Sequence, residues 1–238
     1  MAQTLNLESS GATMGLYEVE PTGDARASAV VVVQEAFGVN DHIKDVCGRF
    51  AAEGYRTVAP HFFHRSGDPV LGYEDMQDVF EHIMQLNSEG LESDLRATLD
   101  YLAGEGFEAD HVGIVGFCMG GSVSFFAAAR WPLGAAVSFY GGGLTEGRFG
   151  IPPLIDVAET LQTPWLGLFG DQDQSIRVDQ VEALRTAVAR AAVETEIVRY
   201  PEAEHGFHCD ARDSYHEASA KDGWQRTLQW YDTHLPKA

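Results

Sequence analysis

One short stretch of the chain combines a potential nucleophile with the glycines that a sharp turn requires. The letters GFCMGG at residues 116–121 follow an apolar run and precede a segment rich in small residues. This is the G-x-nucleophile-x-G pattern of a strand–turn–helix elbow, in which Gly116 and Gly120 leave room for a strained turn at Cys118. A helix that begins behind Cys118 would present free N–H groups, which favour a thiolate and can stabilise an oxyanion. The alternative is a buried structural cysteine on a glycine-rich turn.

Two further residue types complete the set that nucleophilic hydrolysis needs, namely a histidine base and an acid that orients it. Asp171 directly follows an apolar run, and we select it as the acid, although Asp173 is close enough to compete. Either carboxylate could instead cap the helix that follows. His205 comes after the next predicted strand and a short loop. Nucleophile, acid and histidine then follow one another in the chain order of α/β-hydrolases.

The loop after the first buried strand carries a second group of candidates. Its letters are QEAFGVN at residues 34–40. In an α/β-hydrolase this loop supplies an oxyanion N–H, which we assign to Phe37. Glu35 is unusual there, because a carboxylate directly after a buried strand is costly unless it is paired. We favour a functional role for Glu35 over an exposed turn position or a structural ion pair with an arginine.

The elements that must position these residues alternate between short apolar runs and amphipathic stretches. The predicted strands cover residues 29–33, 55–59, 112–117, 135–139, 165–169 and 195–200. The predicted helices cover residues 41–53, 75–87, 93–103, 120–130, 178–192 and 218–234. This alternation predicts a mainly parallel twisted sheet with helices on both faces, preceded by a short antiparallel lead-in at residues 11–23. We expect one domain over residues 1–238, with its core at about residues 12–236, and a site at the carboxyl ends of the strands.

Composition and charge exclude several classes of protein. The 238 residues include 16 basic and 36 acidic side chains, which give a formal charge of −20. A field of that sign repels phosphates, so we expect neither nucleic acid nor a membrane as a partner. The N-terminus lacks the basic and apolar regions of a signal peptide, and we expect a cytoplasmic protein, either a monomer or a small homo-oligomer. Three scattered cysteines are no disulfide framework.

Taken in order, GFCMGG, QEAFGVN, GDQD and HGF resemble the dienelactone hydrolase (carboxymethylenebutenolidase) family over about residues 12–236. The resemblance implies an α/β-hydrolase fold without a large cap domain and without a metal or organic cofactor. It also implies that Glu35 contacts the nucleophilic thiol and helps to set its charge state. The implied site is a triad of Cys118, His205 and Asp171, with an oxyanion hole made by the N–H groups of Phe37 and Met119.

The chain departs from this family at the groups that hold a substrate carboxylate. The best-known members use two arginines, and the corresponding positions here carry Met76 and Cys209. Arg65 or Arg212 could substitute from another direction. Tyr140 and Phe207 are further candidates for lining the substrate pocket, together with Arg65. The reaction type therefore carries over to this chain better than the substrate does.

These observations together predict a cysteine hydrolase that cleaves activated carboxylic esters or enol lactones through a thioester. A promiscuous carboxylesterase or thioesterase with another natural substrate is the first alternative. The second is a thiol redox sensor on the same fold, acting through Cys118 without catalysis. A third is a metal hydrolase that uses the His61-x-x-His64 pair with His82 or His208.

Overall fold

A single eight-stranded sheet organises the chain. The computed structural model describes residues 1–236, in which the strands run in the order β1-β2-β4-β3-β5-β6-β7-β8. The strands are β1 (Ala2–Ser9), β2 (Ala12–Val19), β3 (Ala29–Val33), β4 (Arg56–Pro60), β5 (Val112–Phe117), β6 (Ala135–Phe139), β7 (Trp165–Gly170) and β8 (Thr195–Tyr200). Strands β3 to β8 pair in parallel, while β2 is antiparallel to both β1 and β4.

Helices cover both faces of this sheet. Within residues 1–236 they are α1 (Asp41–Ala52), α2 (Met76–Ile83), α3 (Ser88–Gly104), α4 (Met119–Arg130), α5 (Leu154–Val157), α6 (Val178–Val188) and α7 (Glu217–His234), with short 3-10 turns at His64–Ser66, Ala109–His111 and Ala158–Thr160. Phe50 of α1 packs on Trp224 and Tyr231 of α7, so these two helices share one face. Helices α3 and α4 contact each other on the opposite face. None of these helices is long and apolar enough to cross a lipid bilayer.

The central strands are apolar along their whole length because helices pack on both of their sides. Every residue of β3 and of β5 is buried, in agreement with the unbroken β-branched run in β3. The predicted α/β-hydrolase fold, with a mainly parallel sheet and no large cap domain, is therefore confirmed. The carboxyl ends of β3, β5, β7 and β8 open toward the loops that carry the candidate catalytic residues.

Several boundaries differ from the sequence prediction; the helix expected over residues 178–192, for example, ends at Val188. The sheet begins before residue 12, because β1 pairs with β2 along its whole length from Ala2 opposite Val19. The helix expected over residues 75–87 ends at Ile83, and the next one begins at Ser88. The cause is Asn87, whose side chain accepts a hydrogen bond from the N–H of Gly90 and so caps α3.

Candidate active site

Cys118 lies at the tip of a strained elbow between β5 and α4. Its backbone has φ +54° and ψ −115°, a conformation that side-chain-bearing residues rarely adopt. A methyl group on Gly116 would overlap the carbonyl oxygen of Gly120, and one on Gly120 would overlap that of Val33. Both glycines are therefore required by close backbone contacts, as the motif predicted. The thiol of Cys118 is partly exposed at the N-terminus of α4.

His205 connects the thiol to a carboxylate. It lies in the loop after β8, is close enough to Cys118 for the thiol to affect its pKa, and has its Nδ1 atom 2.6 Å from Oδ2 of Asp173. Burial opposes the charged imidazolium, but the negative charges of Cys118 and Asp173 outweigh it and raise the pKa of His205 to about 10. The ring is therefore held in one orientation between a sulfur nucleophile and an acid.

Asp173 is itself fixed by a turn in its own loop. Its Oδ1 accepts from the N–H and the hydroxyl of Ser175, at 2.8 and 2.7 Å, and from the N–H of Ile176 at 3.2 Å. The other oxygen is left for His205. Burial disfavours the carboxylate, yet the hydrogen bonds from His205 and Ser175 lower the pKa of Asp173 below its usual value. Asp173 is thus a charged, immobile partner for the imidazole.

The prediction that Asp171 orients the histidine is wrong. Its carboxylate forms two hydrogen bonds with Arg199, from Nε to Oδ1 at 2.7 Å and from Nη2 to Oδ2 at 2.8 Å. The register of β7 and β8 explains this pairing, because Phe169 lies opposite Arg199 and Asp171 follows two residues later. Asp171 therefore closes the end of the sheet, and the turn beyond it brings Asp173 to His205.

Glu35 is completely buried at the end of β3. Its Oε1 accepts from the Tyr140 hydroxyl at 3.5 Å and lies 3.7 Å from Nη1 of Arg212. Burial raises the pKa of Glu35, although Arg212, His205 and Tyr140 each act in the opposite direction. Within residues 1–236 no hydrogen bond joins Glu35 to Cys118, and the implied role of Glu35 toward the thiol stays a prediction. The costly buried carboxylate is instead paired with a cation and a phenol.

Tyr140 and Phe207 pack against the histidine from the inside. The Tyr140 ring centre lies 5.1 Å from that of His205, and its buried hydroxyl donates to Glu35. Tyr140 also has a positive φ of 38°, which is strained for a residue with a side chain. The prediction that Phe207 lines a substrate pocket is wrong, because its ring is fully buried between Tyr140 and Tyr200.

Of the two candidate arginines, only Arg212 lies at the site. Its guanidinium covers Gly206, the neighbour of His205, and stacks over the rings of Phe37 and Tyr73 at 5.8 and 5.6 Å. The other candidate, Arg65, lines a different, small cavity beside Asp94, away from the candidate catalytic residues. It is paired with Asp94 at 2.7 Å and donates to Ser9 at 3.2 Å, on the side of the sheet formed by β1 and α3.

The two N–H groups expected to form an oxyanion hole are available for a ligand. Phe37 lies in the turn after β3, where its carbonyl accepts from Leu71 at 3.0 Å. Met119 is the first residue of α4, and the N–H groups of a first turn have no acceptor within the helix. Within residues 1–236 neither N–H donates to a backbone carbonyl outside the regular elements. Their role in catalysis stays a prediction.

Sequence reasoning missed a second group of buried polar residues beside Glu35. His42 of α1 and Cys209 of the loop after β8 each bring a ligand-type atom within 4.8 Å of Glu35 and of one another. Burial, with Arg49 nearby, lowers the pKa of His42 to about 4, and burial raises that of Cys209. His208 is also buried, 5.7 Å from His42 between ring centres. The position of Cys209 four residues after His205 was the only signal in the sequence.

The histidines of the predicted metal-hydrolase alternative do not converge. His61 contacts Asp68 at 2.7 Å, His64 contacts Asp94 at 3.1 Å, and His82 contacts the Ser66 hydroxyl at 2.8 Å. His208 lies on the other face, against Phe117 and Trp224. Within residues 1–236 the only three ligand-type side chains that come together are Glu35, His42 and Cys209. The geometry therefore gives no support to zinc hydrolysis at His61 and His64.

Comparison with known proteins gives evidence of the protein family that does not depend on the geometry of the site. The model of the dienelactone hydrolase family matches residues 14–235. A Salmonella typhimurium protein named "Putative carboxymethylenebutenolidase" is 41% identical over 233 residues, which cover 95% of this chain and 85% of that protein. The crystal structure of a Klebsiella pneumoniae "Putative Dienelactone Hydrolase" is 41% identical, has a TM-score of 0.89 and covers 98% of each chain. The dienelactone hydrolase of Anabaena variabilis shares the fold, with a TM-score of 0.72 at 16% identity and 99% coverage of each chain.

Proposed function

The chain belongs to the dienelactone hydrolase family, and we propose that it hydrolyses activated carboxylic esters or enol lactones with Cys118 as the nucleophile. The observation that carries the proposal is the continuous path from the strained Cys118 through His205 to Asp173. A structural cysteine would need neither a strained elbow nor a charged histidine partner. The triad that we propose is therefore Cys118, His205 and Asp173.

Acylation begins from the state in which the proton of the Cys118 thiol has moved to the imidazole of His205. The high pKa of His205 favours an imidazolium that faces a Cys118 thiolate. The sulfur attacks the carbonyl carbon, a C–S bond forms, and the carbonyl electron pair moves to an oxyanion held by the N–H groups of Phe37 and Met119. The oxyanion then collapses, the C–O bond breaks, and the alcohol or enol leaves with the proton from His205. The product of this half-reaction is a thioester on Cys118.

Deacylation uses the same groups in reverse order. His205, now neutral and held by Asp173, takes a proton from water as the water oxygen attacks the thioester carbonyl. The second oxyanion collapses with cleavage of the C–S bond. The carboxylic acid leaves and the thiolate–imidazolium pair is restored. No step needs a metal ion or an organic cofactor.

The substrate class follows from the leaving group and from Arg212. A tetrahedral intermediate made by a thiolate expels the better leaving group, so aryl and enol esters should react faster than alkyl esters. The side chain of Arg212 is 24% exposed, and its Nη1 atom lies 3.7 Å from Oε1 of buried Glu35, which leaves other donors of the guanidinium for an incoming anion. We therefore propose a small ester or enol lactone that carries a carboxylate near the scissile bond.

The test compares wild type with Cys118→Ala on p-nitrophenyl acetate and on an enol lactone that bears a carboxylate. Cys47→Ala is the matched control, because Cys47 is a buried residue of α1 without a role in the proposed chemistry. Acid-quenched samples are digested and searched by mass spectrometry for an acyl group on the peptide that contains Cys118. We expect loss of turnover only in Cys118→Ala, with the acyl adduct on Cys118 in wild type.

The outcomes separate this proposal from the alternatives. Undiminished hydrolysis by Cys118→Ala would remove the proposed nucleophile. Turnover of the aryl ester but not of the lactone would keep the triad and assign a neutral ester, as in a general carboxylesterase. No turnover of either substrate by wild type, with reversible oxidation of Cys118, would favour a redox sensor.

A further inference from the structure

Glu35, His42 and Cys209 form a compact group of three metal-ligand side chains from three different segments. They come from the loop after β3, from helix α1 and from the loop after β8. One oxygen, one nitrogen and one sulfur atom of the group lie within 4.8 Å of one another. All three residues are buried, with exposed fractions of 0%, 6% and 0%. Cys209 is separated from Glu35 and His42 by most of the chain, so no single local turn brings the group together.

The group contains buried polar atoms that have no partner. Within residues 1–236 neither ring nitrogen of His42 and neither lone pair of Glu35 Oε2 meets a hydrogen-bond partner. An unpaired buried carboxylate oxygen or imidazole loses its hydration without gaining a partner, so native proteins rarely leave one unsatisfied. Oε2 is also the oxygen that Tyr140 and Arg212 do not use. The orphaned atoms therefore indicate a missing ligand.

The donor set determines which ligand would fit. One thiolate, one neutral imidazole and one carboxylate are the ligand types that Zn²⁺ accepts together. Tetrahedral zinc with bonds of about 2.0–2.3 Å holds its ligand atoms about 3.3–3.8 Å apart, so the group needs to contract by about 1 Å. We propose that Glu35, His42 and Cys209 bind one Zn²⁺ ion beside the catalytic centre, and that the bound ion inhibits the enzyme.

The surroundings of Cys209 supply the outer partners of such a site. The Tyr73 hydroxyl lies 3.1 Å from the Cys209 sulfur and 3.2 Å from Nδ2 of Asn40, which donates to it. On metal binding the Cys209 thiol releases its proton to solvent, and the Tyr73 hydroxyl then donates to the bound thiolate. A water molecule would take the fourth position. The charge of Zn²⁺ is balanced by two anions, Glu35 and the Cys209 thiolate.

Inhibition would follow from the position of Glu35, and this part of the inference rests on the proposed function. A zinc ion on Oε2 would draw the carboxylate toward His42 and Cys209, and so away from Tyr140 and Arg212. It would also add a positive charge close to His205, whose imidazolium the mechanism requires. Zinc binding itself does not depend on catalysis and can be measured on an inactive variant.

The first experiment measures binding to metal-free protein with Zn²⁺ and a competing chromophoric chelator. The variants are Cys209→Ala, His42→Phe, Cys118→Ala and the matched control Cys47→Ala. We expect one equivalent of Zn²⁺ in wild type, Cys118→Ala and Cys47→Ala, and binding at least about 100-fold weaker in Cys209→Ala and His42→Phe. Circular dichroism shows which variants are folded. Because two ligands are tested separately, a folding defect in one variant leaves the other as the test.

A second experiment needs no ligand variant. Co²⁺ added to Cys118→Ala should give a thiolate-to-cobalt charge-transfer band, which reports a sulfur ligand other than Cys118. Zn²⁺ should also inhibit wild type and should not inhibit Cys209→Ala. Absence of Zn²⁺ binding by wild type would overturn the proposal and assign the orphaned atoms to water. Binding that survives in Cys209→Ala and disappears in Cys118→Ala would overturn it as well, since the metal would then lie on the catalytic thiol.

Discussion

Asp173 holds His205 through a single contact of 2.6 Å between Oδ2 and Nδ1. The other carboxylate oxygen accepts three hydrogen bonds from Ser175 and Ile176, so it cannot rotate toward the ring. The Nδ1 atom of His205 thereby faces Asp173, and in the proposed mechanism this leaves Nε2 for the Cys118 thiol. One loop after β7 would then set both the tautomer and the direction of the proposed base.

The first prediction concerns this acid. Asp173→Asn should keep the fold and lower kcat/KM for p-nitrophenyl acetate by about 10²–10⁴-fold, because an amide cannot stabilise the imidazolium and favours the wrong tautomer. The measurement is steady-state kinetics at pH 7, with thermal unfolding to confirm the fold.

Asp171→Asn is the matched control for Asp173→Asn. The substitution removes the negative charge of a partly exposed ion pair with Arg199. This loss should lower the free energy of unfolding by about 1 kcal/mol. Its kcat/KM should stay within about threefold of wild type, since the Asp171 carboxylate is bound to Arg199 and not to His205 in the described residues. The reverse pattern, with activity lost in Asp171→Asn and kept in Asp173→Asn, would restore Asp171 as the acid.

The second prediction concerns the elbow. Gly116→Ala should lower the free energy of unfolding by about 3 kcal/mol or more, because its new methyl group meets the backbone of Gly120, which cannot move without shifting α4. Gly104→Ala at the end of α3 is the matched control, since a methyl group there meets nothing within 4 Å. Urea unfolding followed by circular dichroism measures both. Equal stability of the two variants would contradict the packing argument.

Local sequence signals were sufficient to predict features in which a few neighbouring residues determine the backbone conformation. The elbow at Cys118 follows from the two glycines, because they determine which turn the chain can make. The parallel sheet follows from unbroken apolar runs such as β3. The choice between Asp171 and Asp173 depended on strand register. Arg199 on the neighbouring strand binds the carboxylate of Asp171, so Asp173 is the one left to contact His205. An Asp followed two residues later by Ser175 was a usable signal for a fixed turn.

Contacts between distant segments lay beyond sequence reasoning. Glu35 and His42 are neighbours in sequence, but Cys209 meets them only because the loop after β8 converges on β3 and α1, and no spacing rule links it to them. Likewise, Arg212 and Arg65 were equal candidates in the sequence. Only the fold shows that Arg65 is bound to Asp94 and that Arg212 stacks over Phe37.

The third prediction concerns Arg212. Arg212→Gln should lower kcat/KM for a carboxylate-bearing enol lactone by about 10–100-fold, the effect of losing a charge-assisted hydrogen bond of about 1.5–3 kcal/mol. The loss for neutral p-nitrophenyl acetate should be several-fold smaller. The two substrates are compared in the same enzyme preparation, so that an effect on the triad through Glu35 appears in both and cancels in the ratio.

Arg65→Gln provides the control for removal of a positive charge. Arg65 is bound to Asp94 and lies outside the site, so the ratio of the two kcat/KM values should match that of wild type. An equal loss for both substrates in Arg212→Gln would show that Arg212 acts on Glu35 alone and does not contact the substrate.

The fourth prediction concerns acid stability. His42 and His208 are buried without hydrogen-bond partners in residues 1–236, and burial lowers the pKa of His42 to about 4 and that of His208 well below its usual value. The unfolded chain binds protons at both residues near pH 6.5, whereas the folded chain does not. The resulting stability is complete above pH 6.5 and is lost as the pH falls toward 4. For His42 alone the loss amounts to about 3 kcal/mol.

The measurement is the free energy of unfolding by urea at several pH values between 7 and 4, for wild type and His208→Phe. Phenylalanine fits the aromatic surroundings of His208, which include Phe117, Phe139 and Trp224. Without the proton uptake of one histidine, the variant should lose less stability than wild type as the pH falls below 6.5. All other titrating groups are common to both proteins and cancel in the difference. Parallel pH profiles of the two proteins would mean that His208 is protonated in the folded state, which requires water to reach its ring.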